Sequence, residues 1–167
     1  MKQKDILEGA AEILGLHESN FSILRRCANL VLSNIAANYR HCVIGQEFNV
    51  TDRKIEYKDF MFTFLGVKHV WLNGADAPYS PFIDFLQVPN GKVQVIYYYV
   101  PAFTEDLEQY IYVPNLSKET LIYGIITEYA IISGMFNEAK VWNERFEAGL
   151  FGKSPRNKRV RIPAERW

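Results

Sequence analysis

The spacing of apolar residues changes twice along this chain, and that change limits the fold more than any other feature. At both ends apolar side chains recur every three or four residues, the spacing of one helix face. From about residue 43 to 113 they crowd into short β-branched and aromatic runs separated by turn residues, the spacing of strands. Helices, strands, then helices again is the order any fold must accommodate.

At the start, Ile6, Ala10, Ile13 and Leu14 predict a helix over about 3–15, which Gly15 ends. A second helix is expected over about 20–40, capped by Ser19 or Asn20. Its stripe is Phe21, Leu24, Ala28, Val31, Ile35 and Tyr39, widened by Ile23, Cys27 and Leu30. The runs KIEYKDF, MFTFLGVKHVWL, FIDFL and KVQVIYYYV read as strands, with turns at Asn73-Gly74 and Asn90-Gly91. Alternation sends Tyr97 and Tyr99 to one face and Tyr98 to the other, so packing explains this trio better than a stacking platform for nucleic acid. Pro101 stops the last strand, and AFTEDLEQY reads as a loop or short helix.

Helical spacing returns over about 117–133, with Ser117 as N-cap, Glu119 in the first turn and Gly134 at the end. Gly124 inside this helix costs about 1 kcal/mol against alanine, which implies a close approach by another backbone. A last helix is expected over about 137–150. The sequence therefore predicts an α+β protein that is mainly a four-helix bundle, with a small antiparallel β insertion between the second and third helices. Its core would hold Phe21, Leu24, Val31, Ile125, Tyr129, Trp142 and Phe146. Residues 1–151 form one domain on this reading, and 152–167 a basic, extended C-terminal arm.

The charges divide along the same boundary. The chain has 19 Lys and Arg against 19 Asp and Glu. Residues 151–167 hold six of the bases and one acid, Glu165, so this end is +5 and the remainder, with 13 bases and 18 acids, is −5. An acidic body does not attract nucleic acid through its overall field, whereas a basic arm on an acidic body suits self-association or a protein partner. Two cysteines without Cys-x-x-Cys spacing fit a reducing compartment. No stretch approaches the ~20 apolar residues of a membrane span, and the start lacks a signal-peptide core, so a soluble protein made in a cytoplasm is expected.

Catalytic patterns are missing. His17, His41 and His69 make no metal-ligand spacing, and the acids Glu105, Asp106 and Glu18 carry no acid–base signature. Neither a phosphate-binding glycine loop nor a nucleophile elbow occurs. The expectation is a protein that is not an enzyme and uses no cofactor or metal.

The stretch LIYGIITEYAIISGMFNEAKVWNERFEAGL followed by KRVRIPAERW resembles the bacteriophage head–tail connector family, the adaptor or neck proteins beneath the portal. The residues that carry the resemblance are Tyr123, Tyr129, Ala130, Gly134, Ala139, Trp142, Phe146 and Trp167. A weaker likeness joins IEYKDFMFTFLGVKHVWLNG and GKVQVIYYYVP to the β insertion of these adaptors. The acidic TEDLEQYIYVPN departs from the pattern. The resemblance implies a structural virion protein at the head–tail junction, assembled in the host cytoplasm as a homo-oligomeric, typically dodecameric ring. Such a ring binds the portal and further neck or tail proteins, and passes double-stranded DNA through its lumen without specific binding. It also implies a portal-binding arm, in which Lys153, Arg156, Lys158, Arg159, Arg161 and Arg166 meet carboxylates while Ile162, Pro163 and Trp167 fill apolar slots. Two other readings of the residues are a nucleic-acid-binding protein that clamps DNA with the same basic tail, and a different tail or capsid component.

Overall fold

A computed structural model describes residues 1–39 and 42–151. The portal-binding arm expected at 152–167, and His41, lie outside the described residues.

Four helices and two antiparallel sheets divide the described chain. The helices are α1 (Gln3–Leu14), α2 (Phe21–Asn38), α3 (Lys118–Ile132) and α4 (Phe136–Phe151). The strands are β1 (Cys42–Val50), β2 (Lys54–Glu56), β3 (Thr63–Leu72), β4 (Ala75–Asp76), β5 (Ser80–Pro81), β6 (Phe85–Gln87) and β7 (Gly91–Val100). One sheet runs β1-β7-β3-β4 and the other β2-β6-β5.

This corrects the expected fold: the protein is not mainly a helical four-helix bundle. The β region is no small insertion, because it builds a core of its own from both sheets. Val50, Ile55, Phe60, Val70, Leu86, Val88, Val93, Val95 and Tyr97 are all buried together there. Long pairings make this possible, with β1 matched to β7 from Cys42↔Tyr99 to Val50↔Gly91, and β7 matched on its other side to β3. The β region also stops at Val100 rather than near 113. Residues beyond it form an irregular strap whose Phe103, Ile111 and Val113 are buried in the helical core. Of the tyrosine trio, Tyr97 is fully buried among the sheets, and Tyr99 packs against both cores, joining the β half to the helical half.

The helical half is arranged around α3, which packs on α1, α2 and α4. It is apolar on nearly every side because it is covered on nearly every side. The Ser117 hydroxyl accepts the Thr120 N–H at 3.2 Å and starts α3. Gly15 and Gly134, at φ 65° and 75°, end α1 and α3 in the left-handed conformation open to glycine. Gly124 faces side chains rather than the expected backbone: an added Cβ would lie 2.8 Å from Val31 Cγ1 and 2.9 Å from the Phe146 ring.

Four local expectations fail. Neither Ser19 nor Asn20 caps α2 with its side chain, because residues Glu18–Asn20 form a 3₁₀ turn leading straight into the helix. Ile13 is 47% exposed and Tyr39 43%, so the stripes on α1 and α2 end sooner than their periodicity implies. In KIEYKDF only Lys54–Glu56 is strand, and a 3₁₀ turn follows at Tyr57–Asp59. In FIDFL the strand begins at Phe85 and ends at Gln87, so Phe82, Ile83 and Asp84 precede it.

Candidate docking surfaces

The strap from Pro101 to Ser117 lies over the helical half and is held by side-chain amides. Asn29 of α2 donates from Nδ2 to the Phe103 carbonyl at 3.3 Å and accepts the Phe103 N–H on Oδ1 at 2.7 Å. Gln3, fully buried at the start of α1, accepts the Thr104 N–H at 3.0 Å and donates to Gln109 at 3.2 Å. A buried polar group is tolerated when its hydrogen bonds are made, and Gln3 makes them here. The Lys2 ammonium donates to Glu108 at 2.8 Å, which holds the Glu108 carboxyl below its usual range. Backbone alternation then buries Ile111 and Val113 and leaves Tyr110 and Tyr112 about two-thirds exposed.

On the β side, a cleft of about 770 Å³ opens between β3 of the first sheet and the β5 end of the second. Its walls are Phe64, Leu65 and Val67 of β3 against Tyr57, Tyr79 and Pro81. The Tyr57 and Phe64 rings stack at 4.5 Å and fix that wall. Along Thr63–Lys68, β3 is an edge strand: β4 reaches only Trp71 and Leu72, and the register against β7 shifts between Phe64 and Gly66 and again between Val67 and His69. Such bulges keep an edge from pairing indiscriminately with another chain.

Beside the cleft, Phe82 N–H donates to the Phe85 carbonyl at 2.9 Å and closes a two-residue turn of Ile83 and Asp84. Ile83 is 94% exposed, more than any other large hydrophobic residue described. A second apolar group lies at the α3–α4 corner, where Ile131, Ile132 and Phe136 are about half or more exposed.

Among the described residues, no group of three His, Cys, Asp or Glu could hold a metal ion. His69 stacks on Trp71, and His17 precedes the 3₁₀ turn before α2. Cys27 and Cys42 are buried thiols, each pushed up to about 11 by burial and therefore poor nucleophiles. No described helix is long and apolar enough to cross a membrane.

No protein-family model matches the chain, and no curated protein matches it.

Of the residues expected to form the core, Phe21, Leu24, Val31, Ile125 and Phe146 are buried in the helical half. Tyr129 and Trp142 are only partly buried and pack against its edge. Trp142 lies against Tyr123 with ring centroids 5.6 Å apart, and the Arg145 guanidinium sits 4.6 Å from the centre of the Trp142 ring. The cleft and the Ile83 turn were not anticipated. FIDFL reads as a strand because Phe and Ile favour strands, and only the hairpin around it turns Ile83 outward.

Proposed function

We propose that this chain is a structural virion protein of the bacteriophage head–tail junction. Copies form a ring beneath the portal, join head to tail, and extend the DNA channel for genome retention and ejection. The observation that carries the reading is the α3–α4 pair followed in sequence by a basic segment that includes Trp167. Its residues are Tyr123, Tyr129, Ala130, Gly134, Ala139, Trp142 and Phe146, leading to Trp167.

The geometry at the end of α4 supports it. Phe151 is 57% exposed and meets Tyr39 edge-on at 5.7 Å, so α4 ends at the surface; the sequence after it carries Lys153, Arg156, Lys158, Arg159, Arg161 and Arg166. Six cations with Ile162, Pro163 and Trp167 suit a partner that offers carboxylates beside apolar slots. The several exposed apolar groups suit a subunit that is covered in an assembly.

The test is native mass spectrometry of the chain with the portal ring from the same genome, using the full chain and a chain ending at Phe151. The reading expects saturable addition of many full-length copies and none of the shortened form. A full chain that ignored the portal and shifted with DNA would overturn it in favour of the nucleic-acid reading.

A further inference from the structure

The exposed Ile83 side chain and the β3 cleft are both apolar, and Ile83 does not line the cleft of its own chain. Ile83 occupies a tight turn, where Gly, Asn, Asp and Ser are the usual residues for conformational and solvation reasons. It is not there for folding, since it buries almost nothing. The turn is nevertheless held stiffly. Tyr57 donates its hydroxyl to the Phe82 carbonyl at 2.9 Å and its N–H to the Asp84 carbonyl at 3.3 Å, and the Phe82 and Phe85 rings stack at 4.8 Å. A turn whose backbone is held in place before binding loses little backbone entropy on binding.

The cleft is the reciprocal feature, an apolar recess of about 770 Å³ walled by Phe64, Leu65, Val67, Tyr79 and Pro81. Charge matches as well. Asp84 stands next to Ile83, and Lys68 next to Val67; both are exposed, and among the described residues neither has an ion-pair partner.

We infer that the Ile83 turn of one copy seats in the β3 cleft of a second copy, with Asp84 against Lys68. The turn and the cleft are different surfaces, and their contact repeated in one direction is head-to-tail, the kind that closes into rings when the rotation between copies allows it; exchanged reciprocally between two copies it would give a closed dimer. This deepens the ring component of the function proposed above and rests on that reading, while its chemistry requires only self-association.

The test follows self-association of the full chain by sedimentation velocity and native mass spectrometry over a range of concentrations. Ile83→Asp should weaken association about tenfold or more, with the thermal melt unchanged at concentrations low enough for both chains to be dissociated, because Ile83 is exposed. Asp84→Lys and Lys68→Asp should each weaken it, and the doubly reversed chain should recover. A parent that stays monomeric throughout, an Ile83→Asp chain that associates like the parent, or a double variant no better than the singles would overturn the inference. The portal experiment fails separately: association through this contact without portal binding would sink the connector reading alone. Portal-bound rings insensitive to Ile83→Asp would sink this contact alone.

Discussion

Asn29 binds both backbone groups of Phe103, at 2.7 and 3.3 Å, standing in for the strand that Phe103 lacks. This one amide connects the middle of α2 to the strap 74 residues later. With Gln3 it explains how an irregular segment stays against a packed helical core.

Asn29→Ala should therefore remove about 2 kcal/mol of stability, since it leaves a nearly buried backbone N–H and carbonyl without partners. Urea unfolding would measure the loss. Hydrogen exchange should quicken at Phe103 and Thr104 well beyond the rest of the chain. Unchanged exchange there would show that Asn29 does not hold the strap.

Gly124→Ala would raise helix propensity by about 1 kcal/mol in a free helix. Here the added methyl meets Val31 and Phe146 at under 3 Å, so a net loss of about 1–3 kcal/mol is expected. Val31→Ala in the same chain should return part of it. A Gly124→Ala protein more stable than the parent would mean that α2 and α4 can yield at this point.

What could be read from the sequence was mostly local. Ser117, Gly15 and Gly134 mark helix ends because capping and left-handed turns depend on a few adjacent residues. The long run of β7 shows its alternation directly, whereas β3, bulged twice, is legible only as a β-branched and aromatic run. The size of the β half was not legible, because β1 gains its place from β7 some fifty residues away, and the second core exists only once both sheets are paired. The start of the strap has no period to reveal it: Phe103 and Thr104 are held by Asn29 and Gln3, which are distant in sequence. For the candidate surfaces, FIDFL has the composition of a strand and the geometry of a turn, so propensity concealed Ile83.

Trp142 and Phe146 separate by burial. Periodicity places both in the core, yet Phe146 is 6% exposed and Trp142 lies at its edge. Phe146→Ala should cost about 3–5 kcal/mol, and Trp142→Ala about 1–2 kcal/mol, chiefly from the ring contact with Tyr123. Chemical denaturation of both variants gives the order. A larger loss at Trp142 would mean that α4 is rotated relative to α3.

The cysteines provide a check on both halves of the helical core. Burial moves Cys27 and Cys42 from 9.0 to about 11, so at pH 8 the folded chain holds far less thiolate than an unfolded one, by about a hundredfold from the shift alone. Iodoacetamide should modify neither residue in the native protein and both in guanidinium. Because the folded values lie above the unfolded ones, the thiols favour folding fully below pH 9, and this contribution fades as pH rises through about 11. Burial raises Tyr97 and Tyr99 as well, so their titration works in the same direction. The urea midpoint should accordingly fall between pH 9 and 11, and less steeply in a Cys27→Ala, Cys42→Ala chain. Rapid native alkylation of Cys27 would show that α2 is not sealed against α3, and rapid alkylation of Cys42 that the strap does not cover the start of β1.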